Sequence, residues 1–140
     1  MRRSKTPLAL MEQMVMVLVF ALAAALCVQV FVLSDQTSRR NEARDRALLE
    51  AQNAAEALKS GDEDYFAALS ADDGAGGRSI SYDADWRSVT EADAADYHLL
   101  IFPADSGLDG LWAARIQIYT ADGELLADLP VAGQEVSRDG

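Results

Sequence analysis

The hydrophobic pattern of this chain changes period twice. From Met14 to Leu33 only Gln29 interrupts a run of apolar and small residues. About 20 residues at roughly 1.5 Å each span some 30 Å, the thickness of a bilayer core. The pattern predicts one membrane-spanning helix over residues 8–33. In the polar stretch that follows, Ala43, Ala47, Leu48, Ala51, Ala54, Ala55 and Leu58 recur at spacings of three and four. That is one stripe of an amphipathic helix. Neither proline nor glycine intervenes before Gly61, a natural C-cap, so the helix is expected to continue through 34–61.

Beyond Gly61 the period falls to two. Asp62 to Ser70 reads as a short helix with Asp62 as N-cap, and "DDGAGG" as a flexible loop. In "SISYDADW", the residues Ile80, Tyr82, Ala84 and Trp86 alternate with polar ones, as in a half-buried strand. "YHLLIF" reads as a central strand. "AARIQIYTADGELLADLPV" reads as a hairpin turning at Asp122-Gly123, the preferred centre of a type I′ turn. That register pairs Thr120 with Leu125, Ile118 with Ala127, Ile116 with Leu129, and Ala114 with Val131 on one apolar face. The other face carries Arg115, Gln117 and Asp128, with Tyr119 and Leu126 less comfortably exposed. Pro130 places the last strand at a sheet edge. The expected fold is α+β: a long N-terminal helix covering an antiparallel sheet of about four strands, with residues 62–140 forming the small domain.

Charge sharpens the division. The chain has 140 residues and a formal charge of −11, but residues after position 33 hold 9 basic against 22 acidic groups. Such a domain repels polyanions, so no nucleic-acid partner is expected, and membrane lipid is the expected partner of the apolar helix. Arg2, Arg3 and Lys5 precede the apolar run and Arg39, Arg40, Arg44 and Arg46 follow it, so basic residues alone do not fix its orientation. Ala23-Ala24-Ala25 offers a signal-peptidase pattern, but the apolar run continues past it, as an anchor does. The lone cysteine, Cys27, allows no intrachain disulfide, so the domain must be held by its core.

Chemistry-bearing motifs are few. His98 is the only histidine and falls in an apolar strand, where it reads as a polar-face residue. No G-x-S-x-G, phosphate-binding glycine loop or Cys/His metal cluster occurs, so neither an enzyme nor a cofactor is expected. Asp83 and Asp85 are spaced like the start of an EF-hand loop, but Arg87 takes the third ligand position. Two features of the apolar helix are more informative. Ala21, Ala24 and Ala25 thin one side, which lets another helix approach. Glu12 stands at the entrance, where a carboxylate either reaches the headgroups or meets a positive charge from another chain. At the bilayer centre it costs about 2.5–3.5 kcal/mol.

A short basic leader, then "PLALMEQMVMVLVFALAAAL", then a helix that continues into a small sheet domain resembles the type IV pilin and type II secretion pseudopilin superfamily. In that family a prepilin peptidase cuts after a leader glycine and methylates the new amino terminus. A glutamate at the fifth mature position is thought to pair with the amino terminus of an adjacent subunit. The resemblance makes residues 1–7 the leader, Pro7 and Leu8 the processing site, and Glu12 the assembly glutamate, with Pro7 standing where the family has glycine. It implies other pilin-like subunits and an assembly platform as partners, a cytoplasmic N-terminus and an extracytoplasmic domain. Without a filament, the same features describe a single-pass anchored binding or adaptor domain.

Overall fold

A computed structural model describes residues 5–69, 71–72 and 77–135. The chain divides into two compact units, Met1–Asn41 and Glu42–Gly140. Helix α1, Thr6–Ser60, is a single element that belongs to both.

In the first unit every described side chain is exposed, the whole apolar run included. The Lys5 carbonyl accepts from the Ala9 N–H at 3.1 Å. Pro7 therefore lies in the first turn, where a missing N–H leaves no intrahelical bond unmade. Past the apolar run, Thr37 Oγ1 donates to the Leu33 carbonyl at 2.8 Å, and Arg39 Nε pairs with Asp35 Oδ2 at 3.0 Å. The polar segment stays helical, as the lack of proline and glycine predicted.

In the second unit Ala47, Ala51 and Ala54 are fully buried, and Ala55 and Ala57 nearly so. Leu48, expected in the stripe, is 43% exposed, because it lies at the stripe's margin beyond the covered face. Ala57 was not expected. It is buried where the chain reverses after Gly61. The reversal is a Schellman motif: Gly61 takes φ 67°, its N–H bonds the Leu58 carbonyl at 3.4 Å, and the Asp62 N–H bonds the Ala57 carbonyl at 3.0 Å. Asp62 then caps α2, Glu63–Leu69, by accepting from the Tyr65 N–H at 3.1 Å.

Six strands follow: β1 Ala71–Asp72, β2 Arg78–Tyr82, β3 Ser88–Val89, β4 Tyr97–Ala104, β5 Leu111–Thr120 and β6 Leu125–Gln134. All pairs are antiparallel, in the order β1-β2-β4-β5-β6, with β3 also on β2. The four longer strands are the four the sequence predicts; β1 and β3 are two-residue additions. β1 takes up the first part of the expected loop, of which residues 73–76 lie outside the described set. Strand β4 is central and β6 is an edge, as "YHLLIF" and Pro130 implied.

One core joins helix to sheet. The helix contributes alanines, and the sheet contributes Ile80, Leu99, Ile116 and Ile118, all fully buried. Small residues on the helix leave room for branched ones on the sheet, which gain most from burial, at about 1.5–3 kcal/mol each.

The hairpin register needs one correction. Ile118↔Ala127, Ile116↔Leu129 and Ala114↔Val131 pair as expected, but Leu125 pairs with Tyr119 rather than Thr120. The turn is not type I′. Only Gly123 takes positive φ, at 88°; Asp122 does not. The Gly123 N–H bonds the Thr120 carbonyl at 2.9 Å and the Thr120 N–H bonds the Glu124 carbonyl at 2.9 Å, giving a three-residue loop with glycine in the left-handed position. An irregularity between Ile118 and Tyr119 makes Leu126 an extra residue and restores the expected pairing beyond it. It also turns Leu126 onto the core instead of leaving it exposed.

The expected strand through Trp86 stops at Tyr82 for a related reason. Asp83 Oδ1 accepts from the Asp85 and Arg87 N–H groups, both at 2.9 Å. The Trp86 N–H bonds the Asp83 carbonyl at 3.0 Å and the Asp83 N–H bonds the Arg87 carbonyl at 2.9 Å. This is the plan of the Thr120–Glu124 turn, with Trp86 at φ 61° where the other has glycine. Backbone strain of about 1–3 kcal/mol there is offset by packing: the Trp86 ring stacks on Tyr97 at 4.0 Å and touches the core. Ala84 is exposed at the turn.

At the far end of β5, Trp112 pairs with Gly133, and a Cβ on Gly133 would sit 2.6 Å from the indole. Gly133→Ala should therefore lower stability by about 1–3 kcal/mol. Leu48→Ala should change it by no more than about 0.5 kcal/mol. Thermal unfolding of the detergent-solubilised chain measures both.

Candidate functional site

The processing, assembly and helix-packing residues expected from the sequence all lie on the first part of α1. Pro7 and Leu8 occupy its first turns, and Leu8 and Glu12 share a face at a spacing of four. Ala21, Ala24 and Ala25 share a face by the same rule. Glu12 and Ala21 are about 2.5 turns apart, so the carboxylate and the alanines project to opposite sides of the helix. Among the described residues nothing packs on either face, and Glu12, Ala21, Ala24, Ala25 and Cys27 are all exposed. The helix is long and apolar enough to cross a membrane, with none of its apolar window buried in the fold.

The second unit holds two side-chain clusters: the first was not assembled by sequence reasoning, whereas the second gathers residues that the sequence already placed on the polar face of the sheet. The first is internal. The Tyr82 ring is 3% exposed, and its hydroxyl is buried with no partner in hydrogen-bond geometry. Tyr65 and Glu50 are close enough to influence its ionisation. Burial, then the neighbouring Tyr65 and the charge of Glu50, push the Tyr82 hydroxyl far above the ordinary tyrosine value of 10.0. Burial likewise raises Tyr65. Glu50 keeps a carboxylate oxygen 3.8 Å from Arg46 Nε.

The second cluster lies on the sheet face turned away from the core. Ser81 Oγ and His98 Nδ1 lie 3.3 Å apart as a cross-strand pair, which fixes the imidazole on the polar face as expected. On β5 and β6 the Tyr119 hydroxyl donates to Gln117 Oε1 at 2.9 Å, Gln117 Nε2 donates to Asp128 Oδ2 at 3.4 Å, and Arg115 Nε donates to Asp128 Oδ1 at 2.7 Å. The Arg115 bond holds the Asp128 carboxyl below its usual range. Both charges are open to solvent, so this network orders side chains more than it stabilises the fold. The EF-hand-like acids do not converge: Asp83 spends its carboxylate on its own turn, and Asp85 faces Arg87 at 4.0 Å. No group of three or more potential metal ligands occurs among the described residues.

No known protein family, curated protein or solved structure matches this chain.

The internal cluster generates a test. Removing an unsatisfied buried hydroxyl relieves a cost of about 1–3 kcal/mol, so Tyr82→Phe should stabilise the domain by up to that amount. Because the folded-state pKa is raised, the associated stability is complete below pH 10.0 and falls as pH rises beyond it. Denaturant titrations at neutral and alkaline pH should show this alkaline loss in the native chain and less of it in Tyr82→Phe.

Proposed function

We propose that the chain is a membrane-anchored, pilin-like or pseudopilin-like subunit of a type IV pilus or type II secretion-like assembly, with its N-terminus cytoplasmic and its sheet domain extracytoplasmic. One observation carries this reading. A single helix, Thr6–Ser60, is wholly exposed and apolar in its first part and supplies the alanine stripe of a sheet domain in its last. An exposed apolar run of this size needs lipid or other helices around it. In lipid, Ala21, Ala24 and Ala25 favour close helix contact, and Glu12 is stable where a positive charge meets it. Since these features face opposite ways, one neighbour would meet the carboxylate and another the alanines.

A second reading, a single-pass anchored binding or adaptor domain without a filament, draws on Pro7. Proline in the first turn of α1 is explained by helix initiation alone, without a processing role.

Two measurements separate these readings. Glu12→Ala should leave membrane integration intact and reduce recovery of co-purifying partner subunits several-fold; unchanged recovery removes the role given to Glu12. The intact mass of membrane-extracted protein should show loss of Met1–Pro7 with one added methyl group if the chain is processed, whereas a retained leader favours the tethered adaptor.

A further inference from the structure

We infer that the end of the apolar run carries a binding site for the phosphate of anionic phospholipids, built on Arg39 and Arg40. The inference rests on the proposed membrane anchoring but not on any filament. Four of the nine basic residues after position 33 fall within 39–46, and residues 47–140 hold only 5 basic against 19 acidic groups. Residues 34–46 set these four basic groups against three acidic ones, Asp35, Glu42 and Asp45, so the acidic excess of the chain begins only beyond the point where the helix leaves its apolar stretch. Leu33, Gln36, Thr37, Arg39 and Arg40 line one shallow, open depression on the helix surface. Leu33, Gln36, Thr37 and Arg40 follow the spacing of a single stripe, with Arg39 alongside.

The position suits a headgroup. Arg39 and Arg40 lie about 9 and 10 Å beyond Leu33 along the axis. The polar layer on each side of a bilayer is roughly 5–8 Å deep. Side chains on an α-helix tilt toward its N-terminus, which here is toward the apolar run. Both guanidinium groups can therefore reach back into the phosphate layer while their stems lie along the helix. Arg39 engages Asp35 through Nε, and its side chain is 78% exposed, so its terminal NH₂ groups remain open to a second oxyanion. Gln36 adds an amide donor within the same hollow. Arg44 and Arg46 lie about 16 and 19 Å past Leu33, outside that layer.

The full chain is reconstituted in nanodiscs of phosphatidylcholine, with and without phosphatidylglycerol, and the lipids retained after extraction are counted by native mass spectrometry. The native protein should retain phosphatidylglycerol in preference to phosphatidylcholine. The double substitution Arg39→Gln and Arg40→Gln should weaken that preference about fivefold per arginine, about 30-fold for the pair. Arg87→Gln, an exposed charge of the sheet domain, should leave it unchanged. Insertion without preference for the anionic lipid, equal preference in the double variant, or equal loss in Arg87→Gln each overturns the site. Failure to insert into phosphatidylcholine overturns the anchoring reading, and the site with it.

Discussion

The second unit depends on a size match. Its helix presents methyl groups at Ala47, Ala51, Ala54 and Ala55, and its sheet answers with Ile80, Leu99, Ile116 and Ile118. No intrachain disulfide is available and no charged side chain is buried among the described residues, so the close approach of helix to sheet falls to these contacts. Exchanging the two sets would keep the hydrophobicity but not the spacing: larger side chains on the helix would lift it from the sheet, and smaller ones beneath would leave voids. Trp86, the one non-glycine residue in the left-handed region among the described residues, is held from the same core through its contacts with Tyr82 and Tyr97.

Much of this architecture was legible because period is a direct physical signal. Alanines at three- and four-residue spacing became the buried face of a helix. Alternation in "ARIQI" became strand faces, with the predicted pairing along most of the β5–β6 hairpin, and the apolar run "YHLLIF" became the central strand. The misreadings occur where side chains act on the backbone. Asp-Gly suggested a two-residue turn, yet only Gly123 adopts the left-handed conformation, and the loop takes a third residue. Trp86 looked like the next inward strand residue, but the Asp83 carboxylate had already folded the chain back. Comparing "DADWR" with "TADGE" would have exposed the shared plan, since each opens with a side-chain acceptor and repeats Ala-Asp before the left-handed residue.

The candidate site was legible in a different sense. Glu12 and the three alanines stand out in sequence because each is anomalous or patterned against its surroundings. In the fold both are exposed, and no described residue packs against them. The Tyr82, Tyr65 and Glu50 cluster shows the reverse. Its members come from β2, α2 and α1, and only the fold brings them together, so no local pattern announces it.

The margins of the sheet carry a consequence for crowding. Chains confined to a plane meet one another far more often than chains free in solution, and a long bare strand would then invite neighbours to zip together through their backbones. On one margin β6 has Pro130 near its middle, which offers no N–H to an incoming strand. On the other, β1 and β3 are two residues each, too short to template a ladder. Backbone pairing between copies through either margin is thereby disfavoured.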